Sequence, residues 1–159
     1  MDDRIEIVWD GIEEYADLLE GFEDEFYRHL KNELTEYGLL VEEGAKALAP
    51  RDTGDLEQSI HFDAAKRVGD KVIVEGGTNI EYALKRHEAP YSSSTHDKYD
   101  NGARFPNYYS GGRGKRTRSK SPWRGFQPGR KYLSNAVAAT EEEFERAIAR
   151  ALEKTLGGV

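Results

Sequence analysis

The feature that most constrains this chain is a long run of apolar residues at helical spacing that stops at a proline. From Ile12 onward, Leu18, Phe22, Phe26, Leu30, Leu34, Tyr37, Val41, Ala45 and Leu48 recur mostly in steps of three or four, with acids filling the other faces. That period predicts an amphipathic helix with one apolar stripe. Asp10-Gly11 interrupts a short strand-like run, Ile5–Trp9, and offers Asp10 as the N-cap. Pro50 ends the run, because the residue before a proline is pushed out of the helical region. One unbroken helix over this stretch would be about 55 Å long. An 18.0 kDa globule cannot cover such a rod alone. Either it splits, at Gly21 or Gly38, or its exposed length packs on neighbouring subunits.

Beyond the proline the sequence changes character. Asp52-Thr53-Gly54-Asp55 is a dense turn signal. Leu56–Phe62 and Val68–Glu75 read as two strands joined through Asp63–Arg67, with a turn near Gly69-Asp70 and an end at Gly76-Gly77. Ile80–Glu88 fits a strand or a short helix equally. Residues 89–129 hold four of the five prolines, a serine run, several glycines and almost no aliphatic residue, so they read as an extended basic loop. Tyr132–Leu156 returns to helical spacing, with Glu141–Glu143 ahead of Arg146, Arg150 and Lys154, an order that suits the helix dipole. The expected organisation is one domain over 1–159, divided into a helical arm (10–49), a sheet region (50–88), the basic loop (89–129) and a C-terminal helix (130–156).

Charge is segregated along this layout. The whole chain has 30 acids and 23 bases, a net charge of −7. Residues 1–50 carry fifteen acids against four bases, a balance of −11, while residues 91–131 carry ten bases against two acids, a balance of +8. Such asymmetry points to polyelectrolyte or self-association partners. The absence of cysteine excludes disulfides, thiolate zinc sites and a cysteine nucleophile. No apolar run approaches the roughly 20 residues of a membrane span. The acidic start is unlike the basic head of a signal peptide, so synthesis and retention in a cytoplasm are expected.

Few residues suggest chemistry. His87-Glu88, with His96-Asp97 further on, is the one grouping that resembles a metal or acid–base site, but it lacks the rigid helical spacing of metal-binding motifs. No nucleophile elbow, Walker loop or dinucleotide fingerprint is present, and catalysis is not expected. The strongest local signal is the tract Arg113, Lys115, Arg116, Arg118, Lys120 and Arg124. It could neutralise phosphates, with nearby aromatics stacking on bases. It could equally dock on the acidic helix of its own or a neighbouring chain. Sequence-specific DNA readout is not expected, because no recognition helix carries these bases.

Ala49-Pro50-Arg51-Asp52-Thr53-Gly54-Asp55-Leu56, followed by Ser59-Ile60, resembles the A-P-x-D-T-G-x-L-x-x-S-I signature of the tail-component family of long-tailed bacteriophages. Tyr82-Ala83 with Glu88 five residues on, and Lys131-Tyr132-Leu133 with Ala136, resemble further family segments in the same order. The basic loop is longer than a minimal family member needs. In the turn, Asp52 and Thr53 are suited to bond the backbone and Gly54 to take positive φ, so Pro50, Asp52, Thr53 and Gly54 are read as architecture.

The combined expectation is an α+β fold: a long N-terminal helix, a small antiparallel sheet and a C-terminal helix packed on it. The resemblance implies a non-enzymatic virion protein without a cofactor, a minor capsid or tail-completion component of the neck. It further implies a homo-oligomeric ring that connects head to tail around the DNA channel, touching head-closure and tail proteins, with the duplex backbone in the channel as a further candidate partner. On that reading, deleting residues 110–125 impairs head–tail joining. The alternatives are a nucleic-acid-binding accessory protein that uses the basic loop and, more remotely, a metal hydrolase centred on His87, Glu88 and His96.

Overall fold

A computed structural model describes residues 3–9, 22–51, 53–81, 83–88 and 115–157. The expected N-cap Asp10, the helical positions 12–21, Asp52, Tyr82, His96, Arg113 and the rest of 89–114 lie outside the described residues. In chain order the elements are β1 (Asp3–Trp9), α1 (Glu23–Leu48), α2 (Asp55–Ser59), β2 (His61–Phe62), β3 (Lys66–Val68) and β4 (Lys71–Thr78). After these come α3 (Ala83–Glu88), α4 (Lys115–Arg118), α5 (Tyr132–Ala139) and α6 (Glu141–Gly157). The architecture is mixed α+β: a four-stranded antiparallel sheet lies on α1, and α5 and α6 pack along the same helix.

Helix α1 organises everything else. Its 26 residues span about 39 Å, and the stripe Phe26, Leu30, Leu34, Tyr37, Val41, Ala45 and Leu48 is buried throughout. Phe22, just ahead of the helix, is exposed. Gly38 does not break the helix. It lets the helix approach the sheet, since a Cβ there would sit 2.8 Å from Val74 Cγ1. Alanine's advantage in helix propensity, about 1 kcal/mol, is outweighed by that contact.

Strand β4 is the centre of the sheet. β1 pairs with it from Asp3↔Thr78 to Trp9↔Val72, and β2 and β3 pair with it successively on the other side. Side chains alternate: Val72 and Val74 are buried toward α1 with Ile5 and Ile7 beside them, while Arg4, Glu6 and Lys66 are exposed. Gly69-Asp70 forms the two-residue connection of the β3–β4 hairpin, with Gly69 at φ +64.

Three expectations from the sequence do not hold. Leu56–Phe62 is not one strand: Asp55–Ser59 is a helical turn and only His61–Phe62 is extended. β4 does not stop at Gly76-Gly77 but runs through both to Thr78, because the Phe62 ring occupies the space where a Gly76 side chain would be. The C-terminal helix is two helices, broken at Thr140, whose Oγ1 donates back to the carbonyls of Ala136 at 2.8 Å and Val137 at 3.1 Å. Tyr37 on α1 meets that same hydroxyl at 3.2 Å, so the break is fixed to the core.

Antiparallel to α1, α6 brings two cations onto a buried acid. Glu33 is 1% exposed; it accepts from Arg150 Nε at 2.7 Å and from the Lys154 ammonium. Burial raises its pKa, but the hydrogen bonds and charges of Lys154 and Arg150 outweigh this and hold it below the ordinary value of 4.5. Its stabilisation is therefore complete above about pH 4.5 and is lost as pH falls through the lower folded value. We predict that Glu33→Gln lowers the unfolding free energy by about 1–2 kcal/mol at neutral pH and flattens its fall with acid. Urea denaturation of wild type and variant between about pH 7 and pH 3 checks both effects.

Candidate functional site

The candidate site is the C-terminal end of α1, where the family-like turn and the end of the basic tract meet. The last carbonyls of a helix have no partner within the helix. Here Ala49 closes the last turn with its N–H on the Ala45 carbonyl at 2.8 Å and then turns extended, at φ −61 and ψ 141, ahead of Pro50. Gly54 takes φ +99, which an L side chain rarely adopts, and starts α2 by accepting the Gln58 N–H at 3.1 Å. Thr53 Oγ1 donates to Asp55 Oδ2 at 2.6 Å. Leu56 and Ile60 enter the core on either side of Ser59, which lies 2.5 Å from Thr78 Oγ1.

Residues 115–131 form a strap over this end of α1. The Lys120 ammonium donates to the carbonyls of Lys46 at 3.0 Å and Ala49 at 2.7 Å, and to Glu57 Oε1 at 2.9 Å. Its three donors are thus matched by three acceptors of its own chain, and the side chain is 7% exposed. Burial lowers the Lys120 pKa, with Glu57 opposing. Glu57 is itself pushed up by burial but held below the ordinary carboxylate range by hydrogen bonds from Arg51 and Lys120. The Arg51–Glu57 contact is a two-point fork at 2.7 and 2.8 Å. Thr117 Oγ1 accepts the Arg51 N–H at 2.9 Å, and the Gly129 N–H donates to the Leu48 carbonyl at 2.8 Å. Between them Trp123 packs against Gly44, where a Cβ would come within 2.5 Å of the indole.

The six bases of the tract are therefore not equivalent. Lys120 serves as a helix cap. Arg124 pairs with Glu143 at the start of α6 and lies 5.0 Å above the Trp123 ring. Arg116 and Arg118 are exposed on α4. Lys115 begins α4, and Arg113 falls outside the described residues. The expected loop over 89–129 thus contains, in its last third, a helical turn and a docked segment that belong to the fold. Sequence reasoning missed Gly44, Thr117 and Glu57 as parts of this junction. A glycine inside a strongly periodic helix was the available signal, since it costs about 1 kcal/mol against alanine without a packing reason.

The family-like segment after the sheet is tied to the same body. Ala83 is buried and its carbonyl receives the Tyr132 hydroxyl at 3.4 Å. Glu88 pairs with the Lys131 ammonium and with His87 Nδ1 at 2.7 Å. His87 is buried edge-on against Tyr132 at 5.0 Å, with Ser134 Oγ 3.4 Å from its Nε2. Both ring nitrogens thus have neighbours within the fold. Among the described residues no group of three or more His, Cys, Asp or Glu side chains could hold a metal, and no helix is long and apolar enough to cross a membrane.

We predict that Lys120→Met destabilises the protein by about 2–4 kcal/mol, because it leaves two carbonyls and the Glu57 carboxylate unmatched. Gly44→Ala, which displaces Trp123, should cost about 1–3 kcal/mol. In a Trp9→Phe background both variants should red-shift the remaining Trp123 fluorescence, which reports loss of strap docking at constant α1 helicity.

The family described as "Bacteriophage HK97-gp10, putative tail-component" matches residues 13–108, more than half of the chain. No curated protein and no solved structure matches it. The matched stretch holds α1, the turn, the whole β2–β4 region and α3, while the strap lies beyond it and docks back onto it. The chain belongs to the HK97-gp10-like family and so to the structural components of phage tails.

Proposed function

We propose that this protein forms a ring at the phage neck that joins head to tail around the DNA channel, with a structural rather than a catalytic role. The observation that carries the reading is the outer face of α1. One side of the helix is covered by the sheet, α5 and α6, but Asn32, Glu36, Leu39 and Glu43 form an exposed row on the other. Leu39 is 54% exposed between acids. Near the C-terminal end of the same helix, α4 presents Arg116 and Arg118. An acidic, partly apolar helix face and a basic turn at different places on one subunit suit a heterologous contact, which closes into a ring when the rotation permits. Burying Leu39 and pairing the charges would complete the coverage that a helix this long lacks in one subunit.

Within the basic tract this reading gives partner or DNA contact to Arg116 and Arg118, together with Lys115 and Arg113. It assigns Lys120 and Arg124 to the subunit itself. Deleting residues 110–125 would remove Thr117, Lys120 and Trp123 as well, and would test folding rather than assembly. Charge reversal is the cleaner experiment. Phage carrying Arg116→Glu/Arg118→Glu should accumulate filled heads and unattached tails, with infectivity reduced at least about tenfold, while the purified variant melts like wild type. Wild-type particle morphology and titre in that variant would overturn the assignment. Steeply salt-dependent duplex binding by the isolated protein would instead favour a DNA-binding accessory role.

A further inference from the structure

Strand β1 is an edge of the sheet. Its seven residues pair with β4 on one side, and among the described residues no strand pairs with its other side. It contains no proline or glycine and no bulge in its register, so the charges of Asp3, Arg4 and Glu6 are what distinguish this edge. The opposite side of the sheet is different, because β2 has two residues and β3 three. Among the described residues only β1 presents a long, regular row of backbone donors and acceptors.

The charges on β1 say what would fit it. Arg4 and Glu6 are exposed on the face away from α1, whereas Ile5 and Ile7 pack toward the core. Glu6 lies directly opposite Glu75 in the register, and their carboxyl groups are close enough to share a hydrogen bond. Lys66 pairs with Glu75 at 2.7 Å, and the Arg4 charge acts on it from further off. Among the described residues, however, neither Glu6 nor Arg4 forms a close ion pair of its own.

From this juxtaposition we infer that β1 is an interaction surface for a second copy of this chain, with two β1 strands pairing antiparallel about Ile5. In that register Arg4 faces Glu6 of the other copy, Glu6 faces its Arg4, and Ile5 meets Ile5. Two cross-strand ion pairs then form on the solvent face, and on the helix face Ile5 meets Ile5 with Asp3 opposite Ile7 on either side. A shift of one residue in each strand sets Glu6 against Glu6, so the charges select the register. The contact is isologous, whereas the ring contact proposed above is heterologous, so the two use different surfaces and stand or fall separately.

The experiment is sedimentation equilibrium of the full chain and of three variants, Arg4→Glu, Glu6→Arg and the double exchange Arg4→Glu/Glu6→Arg. Each single reversal places two like-charge pairs across the dyad and should weaken self-association at least about tenfold. The double exchange recreates both pairs and should return to within about threefold of wild type. Matching circular dichroism melts check that all variants remain folded. A monomeric wild type at millimolar concentration, single reversals without effect, or a folded double variant that stays dissociated would each overturn the inference.

Discussion

The placement of one ammonium group at the end of a long helix governs this fold. A helix of 26 residues ends in carbonyls that water would otherwise serve. Here those carbonyls face a turn, a helical strap and the core. Lys120 reaches the Lys46 and Ala49 carbonyls and the Glu57 carboxylate together. Because Glu57 also holds Arg51, the ammonium ties three segments into one junction: the last turn of α1, the turn through Gly54 and the strap from α4 to α5. Its charge complements the negative end of the helix dipole at the same place. The Trp123–Gly44 contact and the Gly129–Leu48 bond depend on the strap lying where this junction puts it.

That arrangement gives the segregated charge of the sequence a physical meaning. Part of the basic segment answers the acidic half within one subunit, through Lys120 with Glu57 and Arg124 with Glu143. Acids in α1 are likewise partly matched at home: Glu33 by Arg150 and Lys154, Glu42 by Lys46, and Glu23 and Asp24 by Arg67, which also stacks 3.4 Å over Tyr27. Exposed charges are also grouped by surface: the outer row of α1, α4, and the edge of β1.

How much of this was legible depended on whether a residue's role is periodic or environmental. The core face of α1 follows from spacing alone, and Phe26 through Leu48 are buried where that spacing puts them. Gly69-Asp70 was legible as a turn, but β3 was not: Lys66-Arg67-Val68 is short, exposed and mostly charged, so it reads as part of the connection. The break at Thr140 had a signal, since Thr140 with Glu143 three positions on is a capping pattern, but the apolar period continues across it and hides it. Gly76-Gly77 reads as a strand terminator until Phe62, fourteen residues earlier, is found lying on it. Lys120 is the hardest case. In a run of bases it has no local mark to distinguish a cap from a phosphate contact, because the difference lies in carbonyls more than seventy residues away.

The measurement that tests the junction most directly is nitrogen-detected NMR of lysine side chains in the isolated subunit. A buried ammonium with three acceptors should give a Lys120 Nζ resonance whose protons exchange with water much more slowly than those of surface lysines such as Lys31. It should also show through-bond coupling to the Ala49 carbonyl. A Lys120 signal that exchanges as fast as Lys31, with no coupling to that carbonyl, would contradict the account.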